Sequence, residues 1–419
     1  MLRSLFSGIS GLRAHQQMMD VTGNNIANVN SVGYKSSQTI FEDTLSQMLR
    51  SAGAPQSSPN GTQGGTNPAQ VGLGVRLASI NTNFVQGSAQ STGRPTDLMV
   101  SGDGFFIVNS VNEQLFTRAG AFNFDADGRL VTSTGAAVQG YPASNGVVNR
   151  NAPLGDIRLP MGTQIAPTPT KAMVISGNLL GSQTSGADVI RTIKGYAPDG
   201  TATDLTATFH PTAAGWTVDF SGSPVPAGAP PATTSITFSS SGQLTSIAPV
   251  VDPLRPTTVI WDAWNTAAVT PGTEIAIDLS GLTGFSSATS VNVLSQDGAP
   301  AANLQSFTIN PDGQLVGIFS NGLKQTQAQL ALANFNNPPG LEKVGDALYR
   351  FTVNSGLAQV NTPGTGGLGT LQSGTVEMSN VDLAQEFTNL IVAQRGFQAN
   401  SKVISASDEL LQDLVNLKR

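Results

Sequence analysis

The chain has 419 residues, a formal net charge of −6, only 11% charged residues and no cysteine. Its length predicts more than one hydrophobic core, and the missing cysteine excludes disulfides, thiolate metal sites and cysteine nucleophiles. The thinly spread acidic balance argues against nucleic acid as a partner, because no basic stripe is present to neutralise phosphates.

The first 30 residues predict an amphipathic helix. Leu2, Leu5, Phe6, Ile9 and Leu12 recur at spacings of three and four, which is typical of one apolar helix face. The start contains no continuous apolar run of the length that a signal peptide or membrane span needs. We therefore expect that the chain does not insert into a membrane. If it is exported, we expect a route that uses no such signal.

Two connectors are predicted just inside the chain ends. Residues 51–70, SAGAPQSSPNGTQGGTNPAQ, lack aromatic and β-branched apolar residues, which indicates an extended or flexible segment. TPGTGGLGT, at 362–370, is its counterpart near the other end. This arrangement suggests a chain that leaves a helical base, builds a body and returns.

The body between the connectors contains a repeated hairpin pattern. FNFDADGRLV (122–131) aligns with FTINPDGQLV (307–316), and a fainter copy begins at Ile236. Each copy predicts a strand, a turn with glycine, and a second strand. All three tryptophans, Trp216, Trp261 and Trp264, fall between the first and last copies, which suggests an inserted β-domain with its own core.

The last 40 residues predict a long helix from Val381 to Leu417, roughly 55 Å at 1.5 Å per residue. Ser379 or Asn380 is expected to cap its start, with Asp382 in the first turn and Lys418 and Arg419 at the end. A four–three spacing defines its apolar stripe, with polar interruptions. The apolar members are Leu383, Phe387, Leu390, Phe397, Ile404, Leu411 and Val415.

Two interpretations of these apolar stripes stay open. The two terminal helices form an intramolecular hairpin, or they pack on copies of the same chain. The second is favoured, because so long a helix with a broad apolar stripe and few charges has much surface to bury, at about 1.5–3 kcal/mol per Leu or Phe.

Patterns that suggest chemistry are weak. Asp125-Ala-Asp-Gly128 resembles the opening of a calcium loop, but the twelfth loop position is Ala136, which cannot ligate. His15 and His210 lie in different predicted regions, and no oriented base accompanies the many hydroxyls. We expect no enzyme activity, no metal and no cofactor.

The two ends carry a family resemblance. LFSGISGLRAHQQMMDVTGNNIANVNSVGYKSS at the start and SNVDLAQEFTNLIVAQRGFQANSKVISASDELLQDLVNL at the end closely resemble bacterial flagellar axial proteins, which comprise rod, hook and hook-associated subunits. DLMVSGDGFFIV (97–108), LFTRAGAFNFDADGRLVTSTGAAVQGY (115–141) and IFSNGLKQTQAQLALANFNNPPGLEKVGDALY (318–349) resemble the hook branch of that family.

The resemblance implies an α+β multidomain fold. Paired, coiled-coil-like terminal helices (1–30 and 376–419) would form an inner tube, followed by a connector (31–75 and 362–375). An inner β-domain (76–142 and 288–361) would carry an inserted outer β-domain (143–287). The polymer would be a short curved tube that bends while transmitting motor torque.

The resemblance also implies partners and an interface. The partners would be other copies of the chain, rod and hook–filament junction proteins, the hook cap and the flagellar type III export apparatus. The asparagine-rich GNNIANVN segment (23–30) has two open interpretations, namely local caps and turns or hydrogen bonds across a subunit boundary. The predicted inter-subunit residues are Leu2, Leu5, Phe6, Ile9, Leu12, Asn24, Asn25, Asn28, Leu383, Phe387, Leu390, Phe397, Ile404, Leu411 and Val415.

Two alternatives accompany this interpretation. A distal rod or hook-associated subunit would have similar ends, and a secreted carbohydrate-binding β-protein would account for the tryptophan-containing insert.

Overall fold

In the computed structural model, one long helix lies at each end of the chain and strands form most elements between them. Helix α1 spans Leu2–Ala27 and helix α2 spans Leu383–Asn416. The predicted class, a β-rich multidomain chain with two terminal helices, is confirmed. The structure describes residues 2–58, 61–110, 113–144, 146–159, 162, 164–181, 186–213, 215–223, 233–249, 256–261 and 274–416.

The start of α2 corrects one sequence prediction. Neither Ser379 nor Asn380 caps the helix. Asp382 does, because its Oδ1 accepts hydrogen bonds from the backbone N–H groups of Ala384 (2.8 Å) and Gln385 (3.2 Å). Asn380 instead accepts from the Ser36 N–H and donates to the Val85 carbonyl, so it ties the two chain ends together. The predicted end residues Leu417, Lys418 and Arg419 lie outside the described residues.

The chain forms two compact units. Unit 1 comprises Met1–Pro160, Phe307–Gly317 and Gln325–Arg419, and unit 2 comprises Met161–Ser306 and Ile318–Lys324. The four-part division predicted from the sequence stays a prediction.

Unit 1 contains both helices and a ribbon on which α1 packs. Strand Ser37–Asp43 pairs antiparallel with Val75–Thr82, and between them Ser46–Arg50 pairs with Ala69–Gly72. The other strands of unit 1 are Gln56–Ser58, Gly61–Gln63, Ala89–Ser91, Leu98–Ser101, Phe105–Ser110, Glu113–Thr117, Asn123–Phe124, Leu130–Val131, Ala137–Ser144, Val147–Val148, Gly155–Asp156, Leu332–Asn334, Glu342–Gly345, Leu348–Arg350, Gln359–Asn361, Thr370–Ser373 and Thr375–Glu377; a 3₁₀ turn spans Pro338–Gly340.

The core of unit 1 forms around strand Phe105–Ser110. Its first four residues, FFIV, are all buried, as expected for a strand covered on both faces. This strand pairs with Glu113–Thr117, Ala137–Ser144 and Leu332–Asn334. Phe105, Phe116 and Tyr349 pack there with edge-on aromatic contacts to their neighbours, and such pairs stabilise a core beyond their buried area.

Unit 2 is a β-domain with two sheets. Strand Ala172–Asn178 runs parallel to Ile275–Thr283 and antiparallel to Asn292–Gln296, and Thr258–Trp261 completes that sheet. The second sheet is a five-strand antiparallel meander of Val189–Tyr196, Ala202–Thr212, Gly215–Ser223, Thr234–Phe238 and Leu244–Ala248. Gln164–Ile165 is a further short strand, and three strands contain positions where the chain passes between units: Ala302–Ile309, Gln314–Phe319 and Lys324–Leu330.

Two tryptophans anchor the core of unit 2. Trp216 and Trp261 are almost fully buried, together with Phe209 and Ile277. Along Ala202–Thr212 buried side chains alternate with exposed or half-buried ones, so that Leu205, Ala207 and Phe209 enter the core. Trp264 lies outside the described residues.

Each of the three repeated sequence patterns forms the same kind of turn, as predicted. Gly128, Gly242 and Gly313 all adopt positive φ, at 73°, 76° and 81°. In each turn the glycine N–H donates to the carbonyl three residues earlier. A side chain with a β-carbon is disfavoured in this conformation, which explains the repeated glycine.

Candidate functional site: the paired helices and their charged junction

Helices α1 and α2 pack antiparallel within one chain. The Asn25 side-chain amide donates to Glu386 Oε1 at 3.1 Å near one end, and Gly11 lies against Asn400 further along. Small and polar residues line this seam. The buried members are Gly8, Gly11, Ala14, Thr22 and Asn25 on α1, and Ala393 and Ser407 on α2.

Glycine is what allows the two helices to approach so closely. A β-carbon built on Gly11 would lie 2.8 Å from the Asn400 side-chain amide, and one on Gly396 would lie 2.4 Å from His15 Nε2. The side chains at the contact set the distance between packed helices, so a seam of glycine and other small residues brings the axes together.

Because small residues fill the seam, several large apolar side chains stay exposed. Of the predicted interface residues, Phe6 is 65% exposed and Phe387 is 50% exposed, and Leu383 is also exposed. Ile391 and Val392, which fall off the predicted stripe, are exposed too. Half-buried members of the predicted set are Leu5, Ile9, Leu12, Leu390, Phe397, Ile404 and Leu411. The side chains of Leu2 and Val415 lie outside the described ones.

At least one of the predicted residues contacts its own chain. Ile404 Cγ1 lies 3.2 Å from the position of a β-carbon on Gly8, so it belongs to the edge of the seam. Helix α1 is covered on a further side by the ribbon, where its Ser10 hydroxyl accepts a hydrogen bond from the Val75 N–H at 3.2 Å.

The asparagine-rich segment bonds within the chain. Asn25 is 1% exposed; its Oδ1 accepts from the Tyr34 hydroxyl and the Ser37 N–H, and its Nδ2 donates to Ser37 and Glu386. Asn28 donates to Asn24 Oδ1 at 3.0 Å. The local interpretation of these side chains therefore has direct contacts, and the prediction that Asn24, Asn25 and Asn28 bond across a subunit boundary stays a prediction.

A buried charge cluster joins both helix ends to the β-core. Lys35 Nζ and Glu377 Oε1 are 2.5 Å apart, with both side chains fully buried, and Arg118 Nη1 lies 3.5 Å from Glu377 Oε2. Lys35 follows α1, Glu377 ends the strand before α2, and Arg118 follows the strand Glu113–Thr117. We call Lys35, Arg118 and Glu377 the charged junction.

Further bonds hold the charged junction in place. The Gly87 N–H donates to Glu377 Oε1 at 2.8 Å, the Gly33 N–H donates to the Glu377 carbonyl, and Lys35 donates to the Val85 carbonyl. The Arg118 guanidinium also stacks over the Phe105 ring at 5.3 Å. Burial lowers the pKa of both Lys35 and Arg118, while the Glu377 carboxylate opposes that shift in each.

Sequence reasoning missed the charged junction. The three residues are separated by up to 342 positions, so no local spacing connects them. The only signal was a lone acidic residue, Glu377, between Val376 and Met378.

The calcium-like loop at 125–128 is not arranged as a metal site. The Asp125 and Asp127 carboxylates both pair with the Arg129 guanidinium, and Asp125 Oδ1 also accepts backbone N–H bonds. Within the described residues, no group of three or more His, Cys, Asp or Glu side chains is arranged to hold a metal ion. No helix among them is long and apolar enough to span a membrane.

Profiles of four protein families match successive parts of the chain. Residues 5–35 match "Flagella basal body rod protein", and residues 99–176 match "Flagellar hook protein FlgE/F/G D1 domain". Residues 190–299 match "Flagellar basal body protein FlaE D2 domain", and residues 372–417 match "Flagellar basal body rod FlgEFG protein C-terminal".

Curated relatives align along the whole chain. The flagellar hook protein FlgE of Borreliella burgdorferi is 37% identical, with 100% of both chains covered. The FlgE of Escherichia coli is 33% identical, with 98% of both covered. The flagellar basal-body rod protein FlgG of Bacillus subtilis is 32% identical, again over 100% of both.

A solved structure shares the fold. The Helicobacter pylori flagellar hook protein FlgE2 superposes with a TM-score of 0.51 at 14% sequence identity, covering 68% of this chain and 99% of that one.

Proposed function

The chain belongs to the family of bacterial flagellar hook and basal-body rod proteins, and we propose that it is a structural subunit of the flagellar hook. As such it polymerises into a short, curved, flexible tube, a universal joint that passes motor torque to the filament. One observation carries the assembly role: the paired terminal helices leave large apolar side chains such as Phe6 and Phe387 exposed. Exposed apolar surface of this kind is typical of protein–protein contacts.

The hook is favoured over the rod by the relatives. Hook proteins from Borreliella burgdorferi, Treponema pallidum and Escherichia coli align over 98–100% of the chain at 33–37% identity. A distal rod or hook-associated role is the alternative, because a rod protein aligns over the same length at 32% identity. No contact in the described residues favours a carbohydrate-binding role.

The proposed subunit interface consists first of the exposed apolar residues of the helices. Among the described apolar side chains of the predicted set, Phe6, Leu383 and Phe387 have the largest exposed fractions. Burying such a side chain stabilises a contact by about 1.5–3 kcal/mol, so a few per subunit hold a polymer together. The amides of Asn24 and Asn25 both bond within the chain, but Asn24 is exposed and can join this interface, whereas Asn25 is buried.

We assign the charged junction a mechanical role. It ties the segments that leave α1 and enter α2 to one β-core, so a force on the helical hairpin reaches the β-domain through buried, directional bonds. Lys343 adds to this, because its Nζ donates to the Lys35 carbonyl at 3.1 Å and lies over the Tyr34 ring. In a polymer that transmits torque, such bonds keep the tube wall and the body turning together.

The proposed setting follows from this role. The protein is part of the flagellum, outside the cell, delivered by the flagellar type III export apparatus. Its neighbours are other copies of itself, the rod, the hook–filament junction proteins and the hook cap. It is a structural protein and performs no catalysis.

Electron microscopy of polymer formed by the purified full chain tests the proposal. Curved, flexible tubes are expected, and straight stiff tubes would favour the rod. A chain that stays monomeric under all assembly conditions would contradict both. The variant Phe387→Ser should weaken assembly without destabilising the monomer, since its side chain is half exposed there.

A further inference from the structure

Two surfaces of the helical hairpin carry exposed apolar side chains beside charges of opposite sign. We propose that in the polymer the C-terminal half of α2 of one copy docks in a groove beside α1 of the next copy. This inference rests on the proposed function and specifies which surfaces meet.

The first surface is a groove between α1 and strand Val75–Thr82. It is lined mainly by Phe6, Ile9, Arg13, Gln17, Val75 and Leu77, and we call it the basic groove; its volume is about 410 Å³. Its α1 side is one helical face, because the lining residues Phe6, Ser10, Arg13 and Gln17 follow four–three–four spacing.

Uncompensated positive charge marks the basic groove. Arg13 is exposed and takes part in no ion pair among the described residues. Arg76, which also lines the groove, pairs with Glu42 at 2.5 Å, so its charge is already balanced. The groove therefore offers apolar surface beside one free cation.

The second surface lies on the last turns of α2. Ala399, Val403, Ala406, Leu410 and Asp413 follow four–three spacing, are all exposed, and with neighbouring Glu409 form what we call the acidic face. Leu410 is 56% exposed. Neither Glu409 nor Asp413 takes part in an ion pair among the described residues. Two alanines make this face narrow, so it suits insertion into a groove.

The two surfaces belong together on different copies. Within one chain both Ile404 and Val403 reach Gly8 in the seam, at 3.2 and 3.7 Å from the position of a β-carbon there, so Val403 forms the inner edge of the acidic face. The rest of that face, including Glu409, Leu410 and Asp413, stays exposed. The groove is basic and apolar, and the face is acidic and apolar, so attraction and burial act in the same pairing. Because the two surfaces are unlike, every docked copy keeps one of each free, and such a contact propagates into a ring or a helical assembly.

A charge exchange between the two surfaces tests this pairing. The full-length variants are Arg13→Glu, Asp413→Arg and the double variant. Lys324→Glu, at an exposed strand position, is the control whose charge change equals that of Arg13→Glu. Each single variant should raise the critical concentration for polymerisation about fivefold. The double variant should return to within about twofold of the wild type, and the control should match the wild type. Raising the salt concentration should reduce the difference between singles and wild type.

The apolar part has its own variant. Leu410→Ala should raise the critical concentration about tenfold while leaving the helix content of the monomer unchanged, because most of that side chain is exposed.

Each outcome decides the matter. Rescue in the double variant supports the pairing. Two results overturn the pairing and leave the hook assignment standing. In one, the critical concentration of the double variant is raised as much as by both single variants combined. In the other, the single variants polymerise like the wild type. A wild-type chain that forms no tube overturns both.

Discussion

Replacing Glu377 by glutamine should destabilise unit 1 more than any other single change in the charged junction. The junction has two cations, Lys35 and Arg118, for one carboxylate, and all three side chains are at least 97% buried. Glutamine keeps the shape of Glu377 but removes its charge. Two buried cations then lack a counter-ion, whereas Lys35→Met leaves a neutral Arg118–Glu377 pair.

This asymmetry sets the expected magnitudes. Removing one partner of a buried ion pair costs about 3–5 kcal/mol, and Glu377→Gln should lie at the upper end of that range or above it. Lys35→Met should cost less, because the charge it removes leaves no buried cation without a counter-ion. Its main cost is the lost hydrogen bond to the Val85 carbonyl. Glu113→Gln is the matched control, since the same chemical change there disrupts an exposed pair with Arg350 and should cost below about 1 kcal/mol.

The assay must report on unit 1. Trp216 and Trp261 lie in unit 2, so their fluorescence follows the wrong unit. Circular dichroism at 222 nm follows α1 and α2, both in unit 1, during denaturant unfolding of the monomer at low concentration. Limited proteolysis near Lys35 provides a second measurement.

The ranking carries the test. If Glu377→Gln costs no more than Glu113→Gln, the charged junction does not hold the hairpin to the β-core. If Lys35→Met costs more than Glu377→Gln, the two-cation account of the junction is wrong.

Two further predictions concern the seam and the alkaline pH range. Gly23→Ala should stabilise α1 by about 0.5–1 kcal/mol, because no atom beyond the adjoining helix backbone lies within 4 Å of the new methyl. The matched Gly396→Ala should lose that gain or destabilise, since its methyl would meet the His15 ring. Equal thermal shifts for both variants would refute a close seam. Burial raises the pKa of Tyr349 above its usual value of 10, so its contribution is fully present below pH 10 and is lost as the pH rises above 10. The free energy of unfolding of Tyr349→Phe should therefore rise relative to that of the wild type above pH 10, by up to about 1.4 kcal/mol per pH unit. A constant difference between the two in denaturant titrations from pH 9 to 11 would contradict this.

The sequence predicted the elements whose signals are local. The terminal helices were visible from three–four spacing, and the hairpin turns at Gly128 and Gly313 from the residues flanking each glycine. The cap of α2 was misassigned by two or three residues, because Ser379, Asn380 and Asp382 all have the chemistry of a cap. The structure shows Asn380 occupied by bonds to the other chain end, which no local pattern could indicate.

The contacts that define the candidate site depend on long-range pairing. Lys35 and Glu377 meet through contacts between distant parts of the chain: strand Thr375–Glu377 pairs with Ala89–Ser91, and the Gly33 N–H donates to the Glu377 carbonyl. Lysine side chains are so seldom buried that the sequence alone predicts an exposed Lys35.

The seam between the helices was invisible for a different reason. Hydrophobic periodicity finds the largest apolar stripe, and on α2 that stripe includes Phe387, which stays half exposed. Glycine, alanine, serine and asparagine close the hairpin instead, through proximity and packing that their hydropathy does not record. Large apolar residues that filled the seam would be unavailable for neighbouring copies. A seam of small residues therefore lets the two helices pack together within the chain while their large apolar side chains stay exposed. A polymerising subunit requires both.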